Sequence, residues 1–282
     1  MFKKCQWHRQ IMIYNKVSNG ENIDALIGCT GFVGGTLLRQ RAFQYRFHSA
    51  NIRQGRSRTY GDIVCCAAPA QKWLANKQPL VDLQNIESLI DNLRTMSCNR
   101  FVLISTVDVF KQPVRVDESV LPVEGGLHPY GLHRRLLEKF VASHFKNSLI
   151  IRLPGLVGPD LRKNVIFDLL NDNAVSSIDH RGLFQFYPMV NLWRDVETAL
   201  NARVDLLHLM SEPVTVAQIA EECFDINFQN TLDAAASQYD VQSIHASLYG
   251  SSSNYQYSGR ETFLAIRSYI QSSKFNEGLK IQ

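Results

Sequence analysis

The stretch IDALIGCTGFVGG, residues 23–35, decides the fold. Residues 23–29 form an apolar run of strand length. The run breaks directly into glycines 28, 31 and 34, ahead of a helical start at Thr36-Leu37-Leu38. G-x-x-G-x-x-G at such a junction answers three physical demands: a tight turn out of the strand, no Cβ where backbone must approach a pyrophosphate, and close helix–strand packing. Free N–H groups at the helix start and the positive end of its dipole then attract the anion. The candidate contacts are Gly28, Thr30, Gly31, Phe32, Val33 and Gly34.

Outward from this loop, apolar runs of strand length recur at 45–48, 62–67 (DIVCCA), 101–105 (FVLIS) and 149–153 (LIIRL). Between them Ile86, Leu89, Ile90 and Leu93 fall at i, i+3, i+4 and i+7, one face of a helix, and Leu137, Phe140 and Val141 repeat the pattern. Short apolar strands alternating with amphipathic helices require a parallel sheet covered on both faces, an α/β class. After about residue 155 the alternation loosens. Thr215 with Gln218 three residues on reads as a capping box, residues 251–257 as a loop, and residues 260–270 as a last helix before a fraying tail.

The 282 residues, 45% hydrophobic and 20% charged, suit an ordinary globular chain, and a net charge of +4 is too mild to imply nucleic acid or a membrane surface. No apolar run approaches the roughly 20 residues of a membrane span. Residues 1–20 carry Lys3 and Lys4 but no apolar core, so they read as no secretory signal. The cysteines 5, 29, 65, 66, 98 and 223 have no metal-ligand spacing and read as small apolar residues of a reduced, cytoplasmic protein. Cys65 and Cys66, neighbours on one strand, should face opposite sides of the sheet.

The ribose end of a bound dinucleotide is read near the close of the second strand. An acidic residue there binds the 2′-hydroxyl of NAD, while basic residues accept the 2′-phosphate of NADP. From Ala25 through Gly61 there is no Asp or Glu, but there are Arg39, Arg41, Arg46, Arg53, Arg56 and Arg58, with His48-Ser49-Ala50-Asn51 at the strand's end. NADP is expected over NAD, held by Ser49, Asn51 and Arg53.

The third constellation is His128-Pro129-Tyr130-Gly131-Leu132-His133-Arg134. With the glycine loop, Asp62 through Ala68, Ile104 through Phe110 and Arg152 through Pro159, it resembles the extended short-chain dehydrogenases/reductases, the nucleotide-sugar epimerases, dehydratases and reductases. The likeness spans about residues 23–200. It implies a Rossmann-type doubly wound sheet with a small C-terminal substrate lobe: an N-terminal extension at 1–20, a dinucleotide-binding core at 21–160, and at 161–282 a mixed segment completing the core and forming the lobe.

The resemblance further implies hydride transfer at a nicotinamide coupled to proton transfer at a carbinol or carbonyl oxygen of a nucleotide-activated sugar. Tyr130 would be the acid/base, Thr106 its hydroxyl partner, and Arg134 stands where the family has lysine. A cation at i+4 favours the phenolate and can grip the nicotinamide ribose, but arginine is a bulkier planar fork. Ala67, Ala68 and Pro154 would line the cofactor. Asp108, Asn164, Arg162 (or Lys163) and Tyr187 would reach the substrate. The dehydratase Asp-Glu pair reads Val107-Asp108 here, and Ser-Thr-Val-Asp-Val-Phe is nearer to the reductases. Arg134 also leaves open a second class, an NAD(P)-binding sensor or scaffold without turnover. A homodimer is the family's expectation, and no metal site is expected.

Overall fold

A computed structural model describes residues 23–279. The N-terminal extension, Cys5 and the non-secretory reading of the start lie outside the described residues. β1 (Ala25–Ile27) carries the decisive stretch and the glycine turn opens α1 (Phe32–Gln40). β2 (Tyr45–Phe47), β3 (Thr59–Cys65), α2 (Lys72–Lys77) and α3 (Pro79–Leu93) follow. Next come β4 (Ser97–Thr106), β5 (Val114–Val116), α4 (Pro129–His144) and β6 (Ser148–Leu153). The later chain adds β7 (Gly155–Val157), α5 (Val165–Asn171), β8 (Leu183–Phe184), β9 (Phe186–Pro188), α6 (Leu192–Asn201) and β10 (Leu206–His208). It ends with β11 (Val214–Thr215), α7 (Val216–Phe224), β12 (Asp240–Val241) and α8 (Gly259–Leu279).

The central sheet is parallel, in the order β10-β6-β4-β3-β1-β2. Period-two alternation splits each strand between two cores. Ala25, Ile27, Ile63, Phe101 and Leu103 pack under α3 and α4 through Ile86, Leu89, Ile90, Leu93, Leu137 and Val141. Leu26, Val64, Val102, Ile104 and Ile151 face the other way, against Leu37 of α1 and Leu192, Val196 and Ala199 of α6. Cys65 joins the first core and Cys66 packs against the second, as alternation requires. The five strand-length runs each become a sheet strand; β10 (Leu206–His208) is a sixth, whose apolar pair is bracketed by Asp205 and His208 and so makes no run.

β1 lies between β2 and β3, so the chain leaves it in opposite directions, the arrangement that opens a crevice at the strands' carboxyl ends. A third cluster, built from Leu161, Ile166, Phe186, Val214, Ile219, Ile266 and Tyr269, forms the small lobe of α5, α7 and α8 beside that edge. The capping box at Thr215 opens α7, with both reciprocal bonds present. α8 continues past residue 270, where a frayed tail was expected, to Leu279.

Candidate active-site crevice

The three glycines of the loop are required for different reasons. Gly28 has φ +95°, and a Cβ there would lie 2.7 Å from the Cys66 carbonyl. A Cβ on Gly34 would collide with the Gly28 carbonyl. Gly31 is crowded by nothing in the protein: its Cβ would meet only Gly28 O, at 3.5 Å. The protein therefore needs two of the glycines for its own packing and leaves the third, exposed at the loop tip, as a bare backbone surface. Gly31 is also the N-cap of α1, no side chain caps that helix, and its first turn holds no acidic residue. The amide groups and dipole of α1 thus face the crevice without a protein anion to satisfy them. A cradle a Cβ would fill, beside an uncapped helix start, fits the linked phosphates of a dinucleotide.

Beyond β2, most of the arginine-rich stretch is committed to protein partners. Arg41 is wedged between Asp24 and Asp62, Arg39 pairs with Asp160 at 2.7 Å, Arg56 donates to Asn92 at 2.8 Å, and Arg58 lies over the Tyr45 ring. Asn51 is spent on the turn itself: its Oδ1 accepts from the His48 amide at 2.7 Å and its amide donates to Arg46 O. Ser49, Arg46 and Arg53 are exposed. The basic character expected here narrows from six arginines to Arg46 and Arg53.

Tyr130 sits in the first turn of α4. Pro129 occupies the first helical position, His128 caps the helix by accepting the Gly131 amide on Nδ1 at 3.0 Å, and Asn76 of α2 accepts the Tyr130 amide at 3.0 Å. Gly131 is glycine because a Cβ would strike the Asp108 carbonyl, so the turn after β4 packs directly on the helix start. Thr106, at the end of β4, accepts the Asp108 amide on its hydroxyl at 3.1 Å, and it lies close enough to the Tyr130 phenol to lower that group's pKa. Tyr130 is 8% exposed, and burial raises its pKa above the ordinary tyrosine value despite the opposing Arg134 charge and the Thr106 bond. The expected activation toward phenolate is outweighed by desolvation, and the group stands as a protonated phenol.

Arg134 does not reach into the crevice as a free cation. It is 2% exposed. Its fork bonds both Asp82 oxygens, NH2 to Oδ1 at 2.8 Å, and also donates to the carbonyls of Pro69 and Tyr130. His133 Nδ1 meets the same carboxylate at 2.6 Å. The guanidinium lies 4.0 Å from the Tyr130 ring centroid, a cation–π contact with the face rather than a bond to the hydroxyl.

Asp108 anchors a cluster from three elements. Lys72, at the start of α2, donates to its Oδ1 at 2.7 Å, and the Tyr239 phenol donates to the same oxygen at 2.8 Å. Neither Lys72 nor Tyr239 stood out in sequence. The signal for Lys72 was its place four residues beyond Ala68, on a loop at the sheet's carboxyl edge; Tyr239 carried none. Ala67 lies against Gly28, and Pro154 directly follows β6, half-buried at the same edge.

Two residues expected at the substrate are turned elsewhere. Tyr187 is 0% exposed, its phenol donating to Asp195 at 2.5 Å in the core, so it walls no pocket. Asn164 is the N-cap of α5: its Oδ1 accepts from Ile166 and Phe167 and its amide donates to Leu156 O, so its side chain is tied to the protein with one N–H left over. Asn164 was expected from a family pattern and Tyr187 from an aromatic cluster, and neither carries side-chain direction. Arg162 is exposed. A cavity of about 390 Å3 opens nearby in the small lobe, lined by Val165, Asp168, Ile178, Phe184, Leu232 and Ala235. Among the described residues, no group of three or more His, Cys, Asp or Glu could hold a metal, and no helix is long and apolar enough to cross a membrane.

No protein-family model and no curated protein matches the chain. Solved structures do match along nearly its full length. MoeE5 in complex with UDP-glucose and NAD is 18% identical with a TM-score of 0.65, covering 89% of this chain and 99% of its own. A dTDP-4-dehydrorhamnose reductase from Clostridium acetobutylicum is 14% identical at TM-score 0.65, covering 89% and 99%. The UDP-glucose 4-epimerase of Thermotoga maritima, with UDP-glucose, is 11% identical at TM-score 0.65, covering 91% and 99%. The chain shares the fold of these structures, a parallel α/β sheet of the kind the sequence implied.

Proposed function

We propose that the chain is an NADP-preferring oxidoreductase that reduces a keto group on a nucleotide-activated sugar, or epimerises the sugar through such a group, with Tyr130 as the acid/base. The carrying observation is the buried Tyr130 phenol in reach of Thr106, on the same carboxyl edge as the uncapped start of α1. Gly28, Thr30, Gly31, Phe32, Val33 and Gly34 would hold the pyrophosphate. Ser49, Arg46 and Arg53 would take the 2′-phosphate, the reason for preferring NADP. Ala67, Ala68 and Pro154 would line the nicotinamide half. The nucleotide-sugar assignment draws on neighbours of this fold solved with UDP-glucose.

When bound, the nicotinamide supplies or accepts the hydride. The chain's own part is the proton. A substrate carbonyl oxygen seated between Thr106 and Tyr130 accepts the phenolic proton as it becomes a hydroxyl, and the remaining phenolate is stabilised by Thr106 and by Arg134 over the ring. A phenol held protonated by burial suits the reductive direction. Asp108, neutralised by Lys72, borders the place where the sugar would lie.

Tyr130→Phe tests the chemistry. Turnover of a keto-sugar nucleotide should fall by about 100-fold or more, the usual worth of a general acid, while NADPH affinity stays the same. Undiminished turnover would remove Tyr130 from the reaction. One observation favours a second reading: Arg134 is bound to Asp82 on both oxygens, so a dinucleotide-binding sensor without turnover is the outcome if NADPH binds and no sugar nucleotide reacts.

Leu80 and Val81 on α3 and Leu132 and Leu136 on α4 remain exposed. We propose that a second copy covers them in a homodimer, which the mass in solution tests. The described cysteines, all free, suit the reducing cytoplasm in which we place the activity.

A further inference from the structure

The structure assigns Lys163 to the hydroxyls of the nicotinamide-bearing ribose, the contact that Arg134 is too committed to make. The assignment rests on the dinucleotide site proposed above. The Ala67–Ala70 segment runs from the glycine loop, where Ala67 abuts Gly28, to α4, where Pro69 accepts from Arg134. A dinucleotide extending from Gly31 toward Tyr130 follows this segment. Across it, from the loop between β7 and α5, the exposed Lys163 lays its ammonium on the Ala70 carbonyl, one residue from the carbonyl that Arg134 holds.

The loop that delivers Lys163 is pinned in a costly shape. Asp160 has φ +72° and Asn164 φ +115°, both non-glycine residues in the left-handed half of backbone space. Asn164 is locked there by accepting two amides of α5 and donating to Leu156 O. The side chain aimed across the crevice by this arrangement is Lys163.

The ammonium has room for a ligand. Lys163 is exposed, and of its three N–H donors one meets the neutral Ala70 carbonyl while water serves the others. The carboxylates nearby are engaged: Asp82 by Arg134 and His133, Asp108 by Lys72 and Tyr239. Burial and the Arg134 charge push the Lys163 pKa down, against a weaker pull from Asp108. Two adjacent ribose hydroxyls would replace that water as acceptors.

The test is binding, not turnover. NADPH, 2′-phospho-ADP-ribose and adenosine 2′-phosphate 5′-diphosphate, the last lacking the second ribose, are titrated against wild type, Lys163→Met, Lys163→Arg and the surface control Lys146→Met. Lys163→Met should weaken the first two ligands by about tenfold or more, the worth of a hydrogen bond from a charged donor. It should leave the third within about twofold. Lys163→Arg should recover most of the loss, and Lys146→Met should change nothing. Melting curves of the free variants should coincide with wild type. Unchanged NADPH affinity in Lys163→Met overturns the assignment, and so does equal weakening of the fragment without the second ribose, which would put the ammonium on the phosphates. A wild type that binds none of the three ligands overturns the proposed function itself, and this assignment with it.

Discussion

Gly28 and Gly31 answer to different partners, and alanine separates them. Gly28→Ala places a Cβ at φ +95° and 2.7 Å from Cys66, so it should cost more than about 1 kcal/mol of folding stability. Gly31→Ala sits at φ −81°, ψ 171°, ordinary for alanine, with its nearest neighbour at 3.5 Å. Its unfolding free energy in urea should stay within about 0.5 kcal/mol of wild type. At this scale the sequence was readable wherever a residue's role is local, as with the glycine spacing, the Tyr130-Gly131 step and the Thr215 cap. It was unreadable where a side chain's partner lies far along the chain. Nothing near Arg134 announces Asp82, and nothing near Asn164 says that its amide is consumed at Leu156.

α4 shows the same division within one element. Its apolar period predicted the face that packs on the sheet, and Leu137 and Val141 are buried there. The helix has a second buried face that periodicity cannot see, because it is charged. Glu138 is 0% exposed and meets Arg152, itself 1% exposed, through Oε2 at 2.8 Å and Oε1 at 3.0 Å, with Ser105 donating to it at 2.6 Å. Such a pair adds little net stability as a pair, but removing one partner strands the other charge. Glu138→Ala should therefore lose about 3–5 kcal/mol in denaturant unfolding. A cost near that of a surface change would mean Arg152 finds other compensation.

For the molecule as a whole, the joint between sheet and small lobe is polar, and it carries a pH dependence. His208 on β10 is fully buried; its Nδ1 donates to Gln242 O at 2.9 Å and its Nε2 faces Arg152. Burial first, then the Arg152 charge, hold its pKa below the ordinary histidine value, against the pull of Glu118. The unfolded chain takes up this proton first as pH falls below about 6.5, so this part of the stability is full above that pH and declines beneath it. The melting temperature should drop from about pH 6.5 downward, and His208→Gln should flatten that limb whatever its effect on the absolute value. An unchanged slope would assign the decline to other groups. The parallel sheet and five of its strands were legible from alternation and apolar runs. β10, the lobe's interlocking bonds and the Asp108–Lys72–Tyr239 cluster were not, since each joins residues whose separation only the folded chain cancels.

The most direct trial of the central claim is the melting temperature of wild type and Gly31→Ala with and without NADP. A ligand that binds only the folded chain at 100 times its dissociation constant adds about 2.7 kcal/mol. Wild type should gain stability of that order, with a smaller gain from NAD, and Gly31→Ala should fold as well as wild type and gain little from either. If neither dinucleotide moves the wild-type transition, the bare backbone at Gly31 serves no redox carrier, and the account of the crevice is wrong.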